Sequence, residues 1–162
     1  MNFTTDILPL KNRLYRLALR ITANHQEAED IVQDTMLKVW SRRDSLDMVE
    51  SIEAYALTIC RNIALDHMKR HEAMNLSLDD MPLDRADERE DTLNNLSVKN
   101  NIERIKRLMD TMPEKQRTCM QLRDFEGKSY KEIAVILDIS EEQVKINIFR
   151  ARKCIKEKIR LE

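Results

Sequence analysis

The chain has 162 residues, 42% of them hydrophobic and 35% charged, with one glycine, three prolines and 4% aromatics. So few turn formers and aromatics exclude a strand-rich fold, and the Leu, Ile, Lys, Arg and Glu mixture suits amphipathic helices in one medium domain or two small ones. The net charge of −1 hides an uneven spread: Leu78 to Asp91 carries seven acids against two arginines, whereas Glu141 to Arg160 carries seven bases against three acids.

A first helical block runs from about Thr5 to Arg70. Leu14, Leu17, Ala18 and Ile21 recur at helical spacing, then Ala28, Ile31, Val32, Thr35, Val39 and Trp40, then Ala56, Ile59, Cys60, Ile63 and Ala64. Asn24 with Glu27 reads as the cap of the second helix and Ser51 as the cap of the third. Ser41 to Glu50 is polar and reads as a loop. From His71 to about Asn95 no apolar stripe is sustained, and Pro82 and the acidic cluster mark a flexible linker. The domain division is therefore 1–70, a linker over 71–97, and 98–162. The expected fold is all-α, with two small helical domains.

In the second block Ile102, Ile105, Leu108 and Met109 form one stripe. Pro113 sits where a new helix would begin, since a first-turn proline loses no intrahelical bond, and Gly127 can close that helix. Ser129 to Glu132 and Ser140 to Gln143 are two capping boxes separated by a short helix and the turn Asp138-Ile139-Ser140. Two capped helices with a tight turn make a helix-turn-helix, and Asp138 can enter the left-handed region that glycine usually fills. At about 100° per residue, Val144, Ile148, Ala151 and Ile155 of the second helix face inward, and Ile146, Phe149, Arg150 and Lys153 face out. In a major groove Ile146 suits thymine methyls, Gln143, Asn147 and Arg150 suit base edges, and Lys145, Arg152 and Lys153 suit phosphates.

Here a family becomes recognisable. Pro113 to Glu157 resembles region 4 of the extracytoplasmic-function sigma factors of the sigma-70 family, through its proline start, the F-E-G-x-S-Y-x-E-I-A core, the turn, the V-K step and the R-A-R-K tail. It departs at Asp138, where glycine is usual, and at Ile146, Asn147 and Ile148, where Ser, Arg and Leu are common. The stretches LYRLALRITANHQEAEDIVQDTMLKVW and SIEAYALTICRNIALDHMKR resemble region 2. The resemblance implies a transcription initiation factor that guides core RNA polymerase to specific promoters and helps open them. Region 4 then reads the minus-thirty-five element.

Asp30, Gln33, Asp34 and Leu37 share one acidic, amide-bearing helix face that suits a basic protein partner. By resemblance that partner is the clamp helices of the polymerase. Also by resemblance, the loop carrying Arg42, Arg43, Asp44 and Ser45 lies beside the displaced strand of the minus-ten element. Asn62 matches the family's asparagine there, and Arg61 and Lys69 join Arg42 and Arg43 as phosphate contacts. Flipped bases need edge hydrogen bonds and cations on the backbone, which these residues supply. Trp40 and Tyr55 are read as core rather than stacking residues. An anti-sigma protein is a common partner in the family, and the residues leave its existence open.

Cys60, Cys119 and Cys154 are odd in number and without a Cys-x-x-Cys pair, which fits a reducing cytoplasm and argues against disulfides or a zinc site. No apolar run approaches about 18 residues, so no membrane insertion is expected. MNFTTDILPLKNR has an early acid and no apolar core, unlike a signal peptide. His25, His67 and His71 lack metal spacing, and neither a glycine-rich phosphate loop nor a serine nucleophile motif occurs. No catalysis, metal or cofactor is therefore expected. The competing reading is a helix-turn-helix regulator with a helical sensing or dimerisation domain, which would occupy duplex operators without polymerase.

Overall fold

The computed structural model describes residues 2–75 and 97–161, and all regular structure among them is helical. One module holds α1 (Lys11–Thr22), α2 (His25–Ser41) and α3 (Ile52–Asn75). The other holds α4 (Ser97–Asp110), α5 (Glu114–Met120), α6 (Tyr130–Leu137) and α7 (Glu141–Leu161). Most of the linker expected over 71–97 lies outside the described residues; its first five residues continue α3.

Capping residues set the boundaries. Ala23 ends α1 in the left-handed region at φ 54°, and the Asn24 side chain accepts the Glu27 amide at 3.0 Å to start α2. Ser51 accepts the Ala54 amide at 3.1 Å. The segment read as a loop after Ser41 is instead a 3-10 turn over Arg43–Met48, anchored because Leu46 is buried. Ahead of α1, a π-turn over Phe3–Ile7 and a 3-10 turn over Leu8–Leu10 bury Ile7 and Leu10 and set Phe3 edge-on to Trp40 at 5.5 Å. Pro113 caps α5, which widens into a π-turn over Gln121–Phe125 before Gly127 reverses the chain at φ 70°.

The two modules share a core. Leu14, Leu17, Ile31, Leu57 and Ile63 of the first lie in one buried apolar cluster with Leu122, Ile133, Ile136 and Leu137 of the second. Each such side chain contributes about 1.5–3 kcal/mol when fully buried. A smaller cluster (Met109, Met112, Met120, Ala151 and Ile155) ties α4, α5 and α7 together. Helix α3 packs on α6, and α1 packs on α4 and α5.

Around that core the modules meet in a seam of arginines and carboxylates. Arg61 on α3 grips Glu114 with two bonds, Nε to Oε2 at 3.0 Å and Nη2 to Oε1 at 2.7 Å, and both side chains are largely buried. Arg20 reaches Gln121 at 2.9 Å and Asp110 at 3.0 Å. Arg16 grips Glu126 with two bonds of 2.7 Å. Arg117, also buried, donates across the seam to the Ile21 carbonyl at 2.8 Å and within its module to the Met112 carbonyl at 2.6 Å. At the rim, Lys128 meets Glu53 at 2.6 Å. Bidentate guanidinium–carboxylate geometry fixes orientation as well as distance, so these contacts set one relative placement. Burial works against the Glu126 carboxylate, but the hydrogen-bonded Arg16 outweighs it and holds the carboxyl below its usual range. That contribution is present above the ordinary carboxylate pKa and is lost as pH falls through the depressed value.

Two predictions follow the buried groups. Glu114→Ala strands the Arg61 guanidinium and costs the closed arrangement about 3–5 kcal/mol. Small-angle scattering should then show a larger radius of gyration with unchanged helix content, while Arg61→Leu combined with Glu114→Leu keeps the compact radius. The second concerns thiols. Burial pushes both Cys60 and Cys119 up to about 12, so their reactive thiolates form only in strongly alkaline solution, against about 8.5 in an unfolded chain. At pH 8 a thiol reagent should label the half-buried Cys154 first and reach the other two only on unfolding.

Candidate functional site

Three solvent-facing surfaces carry the sequence-derived candidates. On α2, Asp30, Gln33, Asp34 and Leu37 are all exposed, Leu37 at 59%, while Ile31, Val32 and Thr35 turn into the core. The helix thus presents an acidic stripe with one apolar centre, and the seam leaves it uncovered.

The second surface runs from the 3-10 turn along α3. Asp44 and Ser45 are exposed, and the Ser45 hydroxyl donates to the Arg42 carbonyl at 2.9 Å. Arg43 lies 4.4 Å over the Trp40 ring and donates to the Trp40 carbonyl at 3.0 Å. Arg42 donates to the Tyr55 hydroxyl at 2.9 Å. Tyr55, Asn62 and Lys69 are spaced by seven residues and so form one stripe along α3, with Asn62 and Lys69 exposed. Tyr55 and Trp40 are partly buried against the core, yet each also holds an arginine at the surface. Arg61 stands apart from this stripe: it is 7% exposed and faces Glu114 across the seam.

The third surface is the helix-turn-helix. Ser129 accepts the Glu132 amide at 3.1 Å, and the Glu132 carboxylate accepts the Ser129 hydroxyl rather than its amide. Ser140 and Gln143 form the full reciprocal box, each backbone amide donating to the other's side chain at 3.1 Å. Asp138 sits at φ 55°, ψ 51°, the left-handed conformation the turn requires. On α7, Val144, Ile148, Ala151 and Ile155 are buried, and Gln143, Lys145, Ile146, Arg150, Arg152 and Lys153 are exposed. Asn147 is half-buried and donates to the Gln143 carbonyl at 2.8 Å. Lys145 lies 5.6 Å over the Tyr130 ring, and Arg152 donates to Asp124 at 3.1 Å.

Sequence reasoning missed the seam residues Arg16, Arg20, Glu114, Arg117, Gln121 and Glu126. Their partners lie on other helices at large sequence separation, where periodicity carries no signal. Among the described residues no group of His, Cys, Asp or Glu could hold a metal, and no helix is long and apolar enough to cross a membrane.

Comparison with known families places Sigma-70 region 2 over residues 7–73 and Sigma-70, region 4 over residues 102–155. The chain belongs to the sigma-70 family, in its extracytoplasmic-function group. This sigma factor is 26% identical over 167 residues to the ECF RNA polymerase sigma factor SigW of Bacillus subtilis, covering 96% of this chain and 88% of that one. It is 26% identical over 160 residues to the RNA polymerase sigma-H factor of Pseudomonas aeruginosa, covering 93% and 83%. Its fold matches the sigma factor RpoE of Bartonella quintana, solved with the anti-sigma factor NepR, with a TM-score of 0.81 at 24% identity over 99% of this chain and 98% of that one.

Proposed function

We propose that this sigma factor docks on the clamp helices of core RNA polymerase through Asp30, Gln33, Asp34 and Leu37, and that its two modules then read the two promoter elements. The acidic, uncovered face of α2 carries the docking half of this reading. It repels nucleic acid and complements a basic protein surface, which sets register and association rate. The exposed basic face of α7 carries the other half, since lysines and arginines there suit phosphates of the minus-thirty-five duplex.

The minus-ten strand runs along the α3 stripe. The Asn62 amide offers a donor and an acceptor to a base edge, and Lys69, Arg42 and Arg43 offer cations to the backbone. Asp44 and Ser45 flank the strand from the 3-10 turn. Arg61 joins them only when Glu114 moves away, so strand capture and the closed seam are mutually exclusive at this residue. An anti-sigma protein is a fitting partner for the closed arrangement, because binding both modules at once would hold Arg61 on Glu114. The domain division is 1–70 and 98–162, with the acidic stretch between as a tether.

Co-purification with core polymerase and transcription from a selected promoter test the whole reading; binding of a self-paired chain to duplex DNA without core would replace it with the regulator. Asp34→Lys should abolish retention on core in a pull-down while the circular dichroism spectrum stays unchanged. Arg150→Ala should weaken holoenzyme binding to the minus-thirty-five element by about 1–3 kcal/mol if its guanidinium pairs with a base, measured by titration at fixed salt.

A further inference from the structure

Two exposed helix faces of this chain match each other. On α2, Leu37 is 59% exposed, and the acids Asp34 and Asp30 lie three and seven residues before it. On α7, Ile146 is 47% exposed and Phe149 67%, and the bases Arg150 and Lys153 lie four and seven residues after Ile146. In both helices this spacing keeps the set on one face. From the apolar residue to the outer charge, each face extends about 10.5 Å along its helix. The two sequences run in opposite order and their charges are of opposite sign. Laid antiparallel on α7, α2 sets Leu37 against Ile146 and Phe149, Asp34 beside Arg150 and Asp30 beside Lys153. Among the described residues, none of these four charges is held in an ion pair, whereas the neighbouring Arg152 is bound to Asp124.

In the closed arrangement both faces point to solvent, so neither covers the other within one molecule. An exposed apolar side chain beside charged ones marks an interaction surface. Either face alone would accept many partners. Their match in register and in sign singles out one, another copy of the chain, which presents both. The net charge of −1 sets up no long-range repulsion between copies. A two-fold pair makes the contact twice, once from each protomer.

We infer that the free factor pairs with a second copy of itself through antiparallel contacts between α2 of each protomer and α7 of its partner. The contact rests on the chemistry of the two faces; its consequence rests on the roles proposed above for the two helices. Pairing covers the polymerase-docking face and the duplex-reading face together. Core polymerase competes for α2 and so frees α7, and the factor then meets promoters only as part of the enzyme.

Light scattering on the full chain tests the pairing. The mass should rise from that of one chain to that of two with concentration, and raising salt from about 0.05 to about 0.5 M should move the midpoint to higher concentration. Asp34→Lys alone and Arg150→Glu alone should each weaken pairing at least about tenfold, because each sets like charges together at both contacts. Mixed in equal amounts, the two variants should pair again, since one contact is then native and the other charge-reversed. A single-chain mass at every concentration, single variants that still pair, or a mixture that stays unpaired overturns the inference. Core polymerase added in excess should convert the pairs into complexes holding one copy each, and retention of the pair on core also overturns it. A chain that never pairs yet is retained on core removes the pairing and leaves the proposed function standing. A chain that pairs as described but is never taken up by core does the reverse.

Discussion

The closed structure depends on placing guanidinium groups inside it. Arg20, Arg61 and Arg117 are each 7% exposed, and an arginine can be neither deprotonated nor left unpaired there without large cost. Each therefore demands partners at fixed geometry. Glu114, Gln121, Asp110 and the Ile21 and Met112 carbonyls supply them. The apolar cluster that runs through both modules provides most of the attraction, but apolar contact is non-directional. The arginines convert that attraction into a single orientation. The π-turn belongs to the same device, since it carries Gln121, buried and bonded to Arg20.

That orientation sorts the functional surfaces unequally. The acidic stripe of α2 and the outer face of α7 remain open, whereas Arg61 on α3 is covered by α5. Under the proposed assignment, access to polymerase and access to the opened strand are separable properties of one arrangement. The Glu114 carboxylate occupies on Arg61 the position a phosphate oxygen pair would take, with the same bidentate geometry. With Arg61 on the strand as proposed, opening the seam exchanges one anion for another rather than losing an ion pair outright.

Much of this was legible in the residues, for local reasons. Asn24, Ser51, Ser129 and Ser140 cap helices as their side chains dictate, and Asp138 adopts the left-handed turn that its short polar side chain tolerates. The inward and outward faces of α2 and α7 followed from the helical period. What escaped was of two kinds. Short turns such as Arg43–Met48 hang on one buried residue, Leu46, and one residue makes no period. The seam joins side chains 53 to 110 positions apart, among them Arg61 with Glu114 and Arg16 with Glu126. An arginine that will be buried reads, in sequence, like one bound for solvent, so nothing in the residues themselves separates Arg61 from its exposed neighbours.

The distribution of these bonds has a consequence for the chain's continuity. Among the described residues, the bridges named between α1 or α3 and the second module are non-covalent and join residues on either side of positions 76–96. A peptide bond severed in that interval would leave the halves gripping each other as two separate polypeptides. What aligns the two halves is then the fit of their side chains, the guanidinium–carboxylate pairs and the shared apolar cluster, rather than covalent continuity.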